Sequence, residues 1–279
     1  MILVTGASGK TGALVAAALA ARGIAHRRGL RRPPAGDPGA VRLDLAEPAS
    51  WPAALQGTAG VFLMRPPAMA DMRATLIPFV DEVRARQAGP VVFLSVSGAE
   101  SNRLLPHAAV ERHLIAGPPG WTLLRPGWFA QNLEDALLPD IRAGRIVLPA
   151  GSGLVAFVDL RDVAEVAVAA LTAPDRHEGR AHTLTGPRAV GFDEVARLLS
   201  ETAGRTIRYD RVSPLGYALH LRRQGQPAMQ ILVQTVLNTG LRFGQAARVD
   251  PTLAALLDHP PRDIAEYVRD HASLWAAAA

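Results

Sequence analysis

The sequence contains no cysteine. Disulfides, thiolate nucleophiles, iron–sulfur clusters and cysteine-ligated zinc are therefore excluded, and nothing in the composition points to secretion. Long apolar runs are missing too. No stretch approaches the ~20 residues of a membrane span, and the alanine-rich segment Ala13 to Ala21 is too short. The chain opens directly on a strand-like run, with nothing that reads as a signal peptide, so a cytoplasmic protein is expected. Lysine is almost absent: Lys10 is the only one, and all other side chains of that charge class are arginine. The formal charge is +5 and the isoelectric point about 10.5, because arginine replaces lysine. Apart from Arg27, Arg28, Arg31 and Arg32 the basic residues are scattered. A nucleic-acid face gathers them beside aromatics, so no nucleic acid and no membrane are expected as partners. With 49% hydrophobic residues in 279, the chain can build a large core, as one domain with or without a lobe.

What is present is concentrated at the start. Met1 to Thr5 is an apolar run of strand formers, followed by Gly6-Ala7-Ser8-Gly9-Lys10-Thr11-Gly12 and a long alanine-rich helical pattern. Strand, glycine turn and helix form an anion site: glycines let the backbone approach a pyrophosphate, and a helix start offers unpaired N–H groups and a positive dipole end. The spacing is G-x-x-G-x-x-G where the common dinucleotide fingerprint is G-x-G-x-x-G, and an ordinary tight turn is the plainer alternative. Placement straight after a strand and into a helix favours the binding reading. Lys10 fits a compact ammonium aimed at phosphate, or a surface lysine that survived by chance.

Ala13 to Arg22 reads as the first helix, stopped by Gly23, and Ile24 to Leu30 as the second strand. An acid after that strand would accept from a ribose 2′-hydroxyl, whereas arginine would meet a 2′-phosphate. Arg31 and Arg32 stand there, and the nearest acid, Asp37, lies further into a Pro/Gly loop. NADP(H) is therefore expected over NAD(H), with Arg31 as reader; a solvated pair of loop charges is the alternative. Further strands are expected at Ala40–Leu45, Val61–Arg65, Pro90–Ser97 and Trp121–Arg125, with helices at Ala49–Gln56, Met72–Gln87 and His107–Leu114. Six alternating units predict an α/β fold with a doubly wound parallel Rossmann sheet. Ligands in such sheets bind at the strands' carboxyl ends, where the glycine loop, Asp44, Met64, Ser95 and Arg125 fall. Beyond lie short strands at Arg145–Pro149, Phe157–Leu160, Ala181–Thr185 and Thr206–Val212, and helices at Asp162–Thr172, Phe192–Ala203 and from Leu215 onward. The chain is read as a single domain, 1–279, with residues 1–150 mainly the cofactor-binding core and 186–279 mainly a smaller, mostly helical C-terminal substrate lobe.

Five blocks together resemble the NmrA-like family of atypical short-chain dehydrogenases/reductases: Val4 to Gly12, Leu124 to Asn132, Phe157 to Ala164, Thr183 to Pro187, and Pro260 to Trp275. The family includes NADPH-dependent quinone and azo-dye reductases, ergot-alkaloid dehydrogenases and cofactor-sensing regulators. The resemblance implies Gly6, Ser8, Gly9, Lys10, Thr11 and Gly12 around the pyrophosphate and Arg31 on the 2′-phosphate. It implies Asp44 and Leu45 at the adenine edge, and Met64, Arg65 and Ser95 bordering the ribose and nicotinamide. Trp128, Phe129 and Asn132 would line the substrate side, although aromatics there also suit a core.

The Tyr/Lys pair of ordinary short-chain dehydrogenases is absent, since the tyrosines are Tyr209, Tyr217 and Tyr267 and no lysine follows Lys10. The equivalent helix carries His107 and Glu111, spaced i, i+4 on one face. In one reading His107 donates a proton, its pKa raised by an orienting Glu111; in the other they form a surface helix pair. No third ligand at recognisable spacing supports a metal. The function expected is hydride transfer from a reduced nicotinamide to a small, apolar electrophile of quinone, azo, imine or carbonyl type, by a monomer or homodimer. The alternative is a catalytically silent NADP(H)-binding sensor that acts through a protein partner.

Overall fold

The computed structural model describes residues 1–66, 69 and 71–276. The chain folds as two compact units, neither continuous in sequence. Residues 1–126 and 160–184 form the first; residues 127–159 and 185–279 form the second. The bound at 186 read from the sequence lies one residue past the start of the second unit's later segment, and the bound at 150 lies inside its earlier one.

The first unit is built on a parallel sheet. Its strands are β1 (Ile2–Val4), β2 (His26–Leu30), β3 (Ala40–Arg42), β4 (Gly60–Met64), β5 (Val91–Leu94), β6 (Trp121–Pro126) and a seventh at Arg180–Leu184. They lie in the order β3-β2-β1-β4-β5-β6, with Arg180–Leu184 on the far edge. β1, β4 and β5 read as unbroken apolar runs because both faces of a central parallel strand are covered. Leu3, Val61, Leu63, Val92 and Phe93 are all buried. β2 breaks that pattern with His-Arg-Arg, which is half-buried.

Helix α1 (Lys10–Ala21) follows from the alanine run, alanine having the best helix propensity, and ends before Gly23, whose φ is +65°. It packs against the helix Leu160–Thr172, which also covers β4, β5 and β6. The other face carries α2 (Trp51–Leu55), α3 (Leu76–Ala85) and α4 (Pro106–Ala116). Trp51, Phe79, Val83, Val110 and Leu114 from these helices share a core with Leu63, Phe93 and Leu123 of the sheet. The strand order turns outward from the β1–β4 pair, which opens a crevice at their carboxyl ends.

The second unit pairs Arg145–Leu148 with Arg208–Arg211 in parallel and Leu154–Val155 with Val190–Gly191 antiparallel. Helices Phe192–Ala203, Pro214–Arg223, Ala228–Gly240, Thr252–Leu256 and Ile264–Asp270 follow. Its centre is aromatic: Trp128 meets Phe157 at 5.1 Å and Phe192 at 5.9 Å, edge to face, and Phe192 lies 5.5 Å from Tyr209. One expectation is corrected here. Phe157–Leu160 is not a strand: Val158 makes one isolated bridge to Phe129, and Leu160 already belongs to the following helix. That helix, with the strand at Arg180–Leu184, belongs to the first unit.

Candidate functional site

The glycine loop shows what its spacing is for. Gly6 sits at φ +63°, where a side chain is strained, and a Cβ there would overlap the Met64 thioether. A Cβ on Gly12 would strike the Gly6 carbonyl and lie 2.7 Å from the Ala7 nitrogen, so this glycine lets α1 close onto the end of β1. Gly9 differs. A Cβ there would be only 3.4 Å from the Gly6 oxygen, an ordinary contact, so the protein itself does not require glycine at this position. Gly9 is the N-cap of α1 and supplies no capping side chain, and no acid lies in the first turn. The helix therefore starts with no capping side chain and no acid against its positive dipole end, an arrangement that suits an anion. Ser8, Gly9 and Lys10 are exposed at this point, whereas Thr11 is buried. Thr5 ties the loop to its neighbour: its Oγ1 accepts from the Met64 N–H at 2.9 Å.

Arg31 and Arg32 follow β2 directly and are exposed. Asp37, the nearest acid, is engaged elsewhere: it pairs with Arg28 and accepts from the Gly39 N–H at 2.9 Å. Asp44 accepts from the Ala46 N–H at 3.0 Å, and its carbonyl accepts from the Trp51 indole at 3.0 Å. Leu45 lies in the core, 6% exposed.

The ends of β4, β5 and β6 and the start of α4 carry the polar centre. Ser95 is buried just past β5, and its hydroxyl has no hydrogen-bond partner among the described residues. His107 stands in the first turn of α4 with Nδ1 buried and unpartnered, its ring 6.1 Å from that of Phe93. Arg65 Nη1 donates to the Met69 carbonyl. The sequence expectation for His107 is reversed. Burial, and then the nearby Arg65 charge, push its imidazole down to about 4, against a smaller upward pull from Glu111.

Glu111 does not orient His107. Its carboxylate takes both ends of the Arg125 guanidinium, Nε at 3.0 Å and Nη2 at 2.6 Å, and Glu100 lies 3.6 Å from the same Nε. The pair is buried, with side-chain exposures of 3% for Glu111 and 14% for Arg125. Sequence reasoning placed Arg125 at a strand end but gave it no role. The available signal was an arginine closing an apolar strand, since a buried cation needs an anion.

Trp128, Phe129 and Asn132 belong to the second unit. Trp128 is part of the aromatic core described above, and Phe129 caps the short 3₁₀ turn Ala130–Leu133. All three are half-buried.

Residues 6–174 match the NAD(P)H-binding family. The chain belongs to that family. It is 32% identical over 246 residues to an NAD(P)H azoreductase of Xenophilus azovorans, covering 84% of this chain and 83% of the relative. Among solved structures, the NADPH-dependent quinone oxidoreductase QOR2 of Escherichia coli, complexed with NADPH, matches with a TM-score of 0.86. The match spans 97% of this chain and 99% of that one at 23% identity. NmrA, a negative transcriptional regulator solved with NADP, matches with a TM-score of 0.73 over 98% and 95% at 16% identity. At such identities these two likenesses speak for the fold, and they agree with the NmrA-like resemblance of the sequence. The family is one of NAD(P)H-binding oxidoreductases, and the glycine cradle and the unpartnered Ser95 hydroxyl suit a dinucleotide. Among the described residues no helix is long and apolar enough to cross a membrane.

Proposed function

We propose that this protein is an NADPH-dependent reductase acting on a small, apolar electrophile of quinone, azo, imine or carbonyl type. The observation that carries the reading is the polar centre at the carboxyl ends of β4 and β5. There two buried polar atoms, Ser95 Oγ and His107 Nδ1, lack partners among the described residues, in the same unit as a glycine loop whose Gly9 leaves room that the fold does not use. Buried polar atoms without partners are uncommon and call for a ligand or water.

In this reading the open N-terminus of α1 with Ser8, Gly9, Lys10 and Thr11 receives the pyrophosphate. Arg31 takes the 2′-phosphate, a role supported by the engagement of Asp37 with Arg28 and Gly39. Met64, Arg65 and Ser95 border the nicotinamide ribose, and Asp44 and Leu45 the adenine edge. When bound, the reduced nicotinamide supplies hydride. The chain's own residues then orient the acceptor and exclude water, which provides much of the rate when the acceptor is already electrophilic. Phe129 and Asn132 serve as apolar and polar substrate contacts, and Trp128 holds their backbone from the core. His107, neutral at physiological pH, acts as a hydrogen-bonding group and not as a charged acid, so the reduced product takes its proton from solvent. Glu111 holds Arg125 and through it the end of β6.

The test is loss of the reduced-nicotinamide absorbance with a panel of quinones, azo dyes and enals, using NADPH and NADH in parallel. Turnover with NADPH supports the reductase. Tight binding of both NADP⁺ and NADPH without turnover of any acceptor would overturn it in favour of a cofactor sensor.

A further inference from the structure

The helix Ala228–Gly240 is turned inside out. Met229, Leu232, Val233, Val236 and Leu237, at helical i, i+3, i+4, i+7 and i+8 spacing, are between 47% and 70% exposed. Phe243, seven positions beyond Val236, is 79% exposed. The polar residues face inward: the Tyr217 hydroxyl donates to Gln234 Oε1 at 3.4 Å and accepts from Asn238 Nδ2 at 3.3 Å, and the Thr235 and Thr239 hydroxyls are buried. A surface helix ordinarily has the reverse arrangement.

We infer that this apolar stripe is the interface between two copies of the chain, paired about a two-fold axis. Two observations favour a second copy over other occupants. First, the stripe has no charge to read: from Gln226 to Leu241 there is no ionisable side chain. Two copies can therefore meet without like charges at the centre, which an isologous contact requires because each patch faces itself. A membrane-surface helix instead carries a strongly charged, Lys/Arg-rich polar face, and here that face is Gln, Asn and Thr turned into the protein. Second, the area fits. The six side chains expose roughly 450 Å² of apolar surface in each copy. That is a little over half of the ~800 Å² that each partner buries in a standard interface, the usual apolar share. A patch of this size is in the range of the largest apolar patch of a typical monomer, which is often functional.

The absence of cysteine makes the test direct. Sedimentation velocity of the full chain should give twice the chain mass over most of the accessible concentration range. The double variant L232E/V236E, at positions exposed in the single chain, should sediment as one chain, keep the parent's circular dichroism spectrum, and lose the concentration dependence of the parent's melting temperature. In single-cysteine variants M229C, L232C, V233C, V236C and L237C, mild oxidation should link two chains through at least one position near the axis, and R197C, on a charged exposed face, should not link. A parent protein that stays single at all concentrations overturns the inference, and so does a double variant that still pairs. Recovery of the parent, still single, on phosphatidylglycerol vesicles would assign the stripe to a lipid surface instead.

Discussion

Changing Glu111 to glutamine removes one charge and little volume from the best-defined polar contact of the first unit. In the parent, Arg125 donates two charge-assisted hydrogen bonds to one carboxylate, and little of either side chain reaches water. Breaking a buried pair by removing one partner typically costs about 3–5 kcal/mol, because the other charge stays buried. Two features reduce that here. Glutamine keeps one acceptor, and the half-exposed Glu100 remains 3.6 Å from Arg125 Nε. We therefore expect a loss of about 2–3 kcal/mol, which for a chain of this length lowers the melting temperature by roughly 4–10 °C. Thermal unfolding followed by circular dichroism reads it directly. The companion variant E111L/R125M removes both charges and should recover most of the loss, because two apolar side chains leave nothing unpaired. A Glu111→Gln melt that coincides with the parent would refute the assignment of this pair as a buried anchor. So would a double variant less stable than the single one.

Arg31→Asp should weaken NADPH binding by about 1.5–3 kcal/mol, the scale of charge-assisted hydrogen bonds, while NADH affinity holds or improves; equal losses in calorimetric titrations would remove Arg31 from the phosphate site. If the exposed Lys10 meets phosphate as proposed, Lys10→Ala should weaken both cofactors in the same titrations, and unchanged affinities would remove it from the site. His107 titrates only near 4, so its ionisation should leave no inflection in kcat/KM between about pH 5 and 8. His107→Phe should cost roughly tenfold and His107→Asn less, as expected for one neutral hydrogen bond; an inflection near 6.5 that vanishes in both variants would restore the charged-acid reading. His177 Nδ1 and His182 Nε2 are buried 3.1 Å apart, and burial lowers the pKa of both, that of His182 to about 4. The unfolded chain then binds more protons than the folded one below about pH 6.5. Stability is therefore full above that pH and falls as pH drops toward 4, and a melting series in which His182→Gln leaves the decline as steep as in the parent would contradict this.

Local patterns made the first half of the chain readable. Continuous apolar runs marked β1, β4 and β5 because burial on both faces removes alternation, and the Gly6–Gly12 spacing marked the tight turn between β1 and α1. The helix Phe192–Ala203 was legible to the residue, since its apolar positions keep strict helical spacing and Gly204 stops it. What local pattern does not encode is the partner of a charge. Glu111 lies four residues from His107 and fourteen from Arg125, yet it bonds Arg125, because the parallel sheet brings the end of β6 beside α4. For the same reason the sequence suggested a raised His107 pKa, whereas depth of burial decides its direction. The inverted helix 228–240 escaped because amphipathicity tells that a helix has two faces but not which one meets the protein.

The interleaving of the two units has a consequence for synthesis. β6 is completed at Pro126, but its neighbour on the open side, Arg180–Leu184, follows only after the chain has laid down residues 127–159 and two more helices. Until then the growing sheet ends in a bare row of N–H and C=O groups on β6, the kind of edge that recruits other strands. The second unit is likewise left in two pieces until the last residues emerge. Neither unit can be released early by truncation, and a ribosome stalled between 127 and 180 would display an unfinished sheet. New termini placed between His177 and Arg180 would deliver the edge strand first but leave the covering helix Leu160–Thr172 to the end, whereas a permutation that starts the chain at Leu160 would deliver both at the outset.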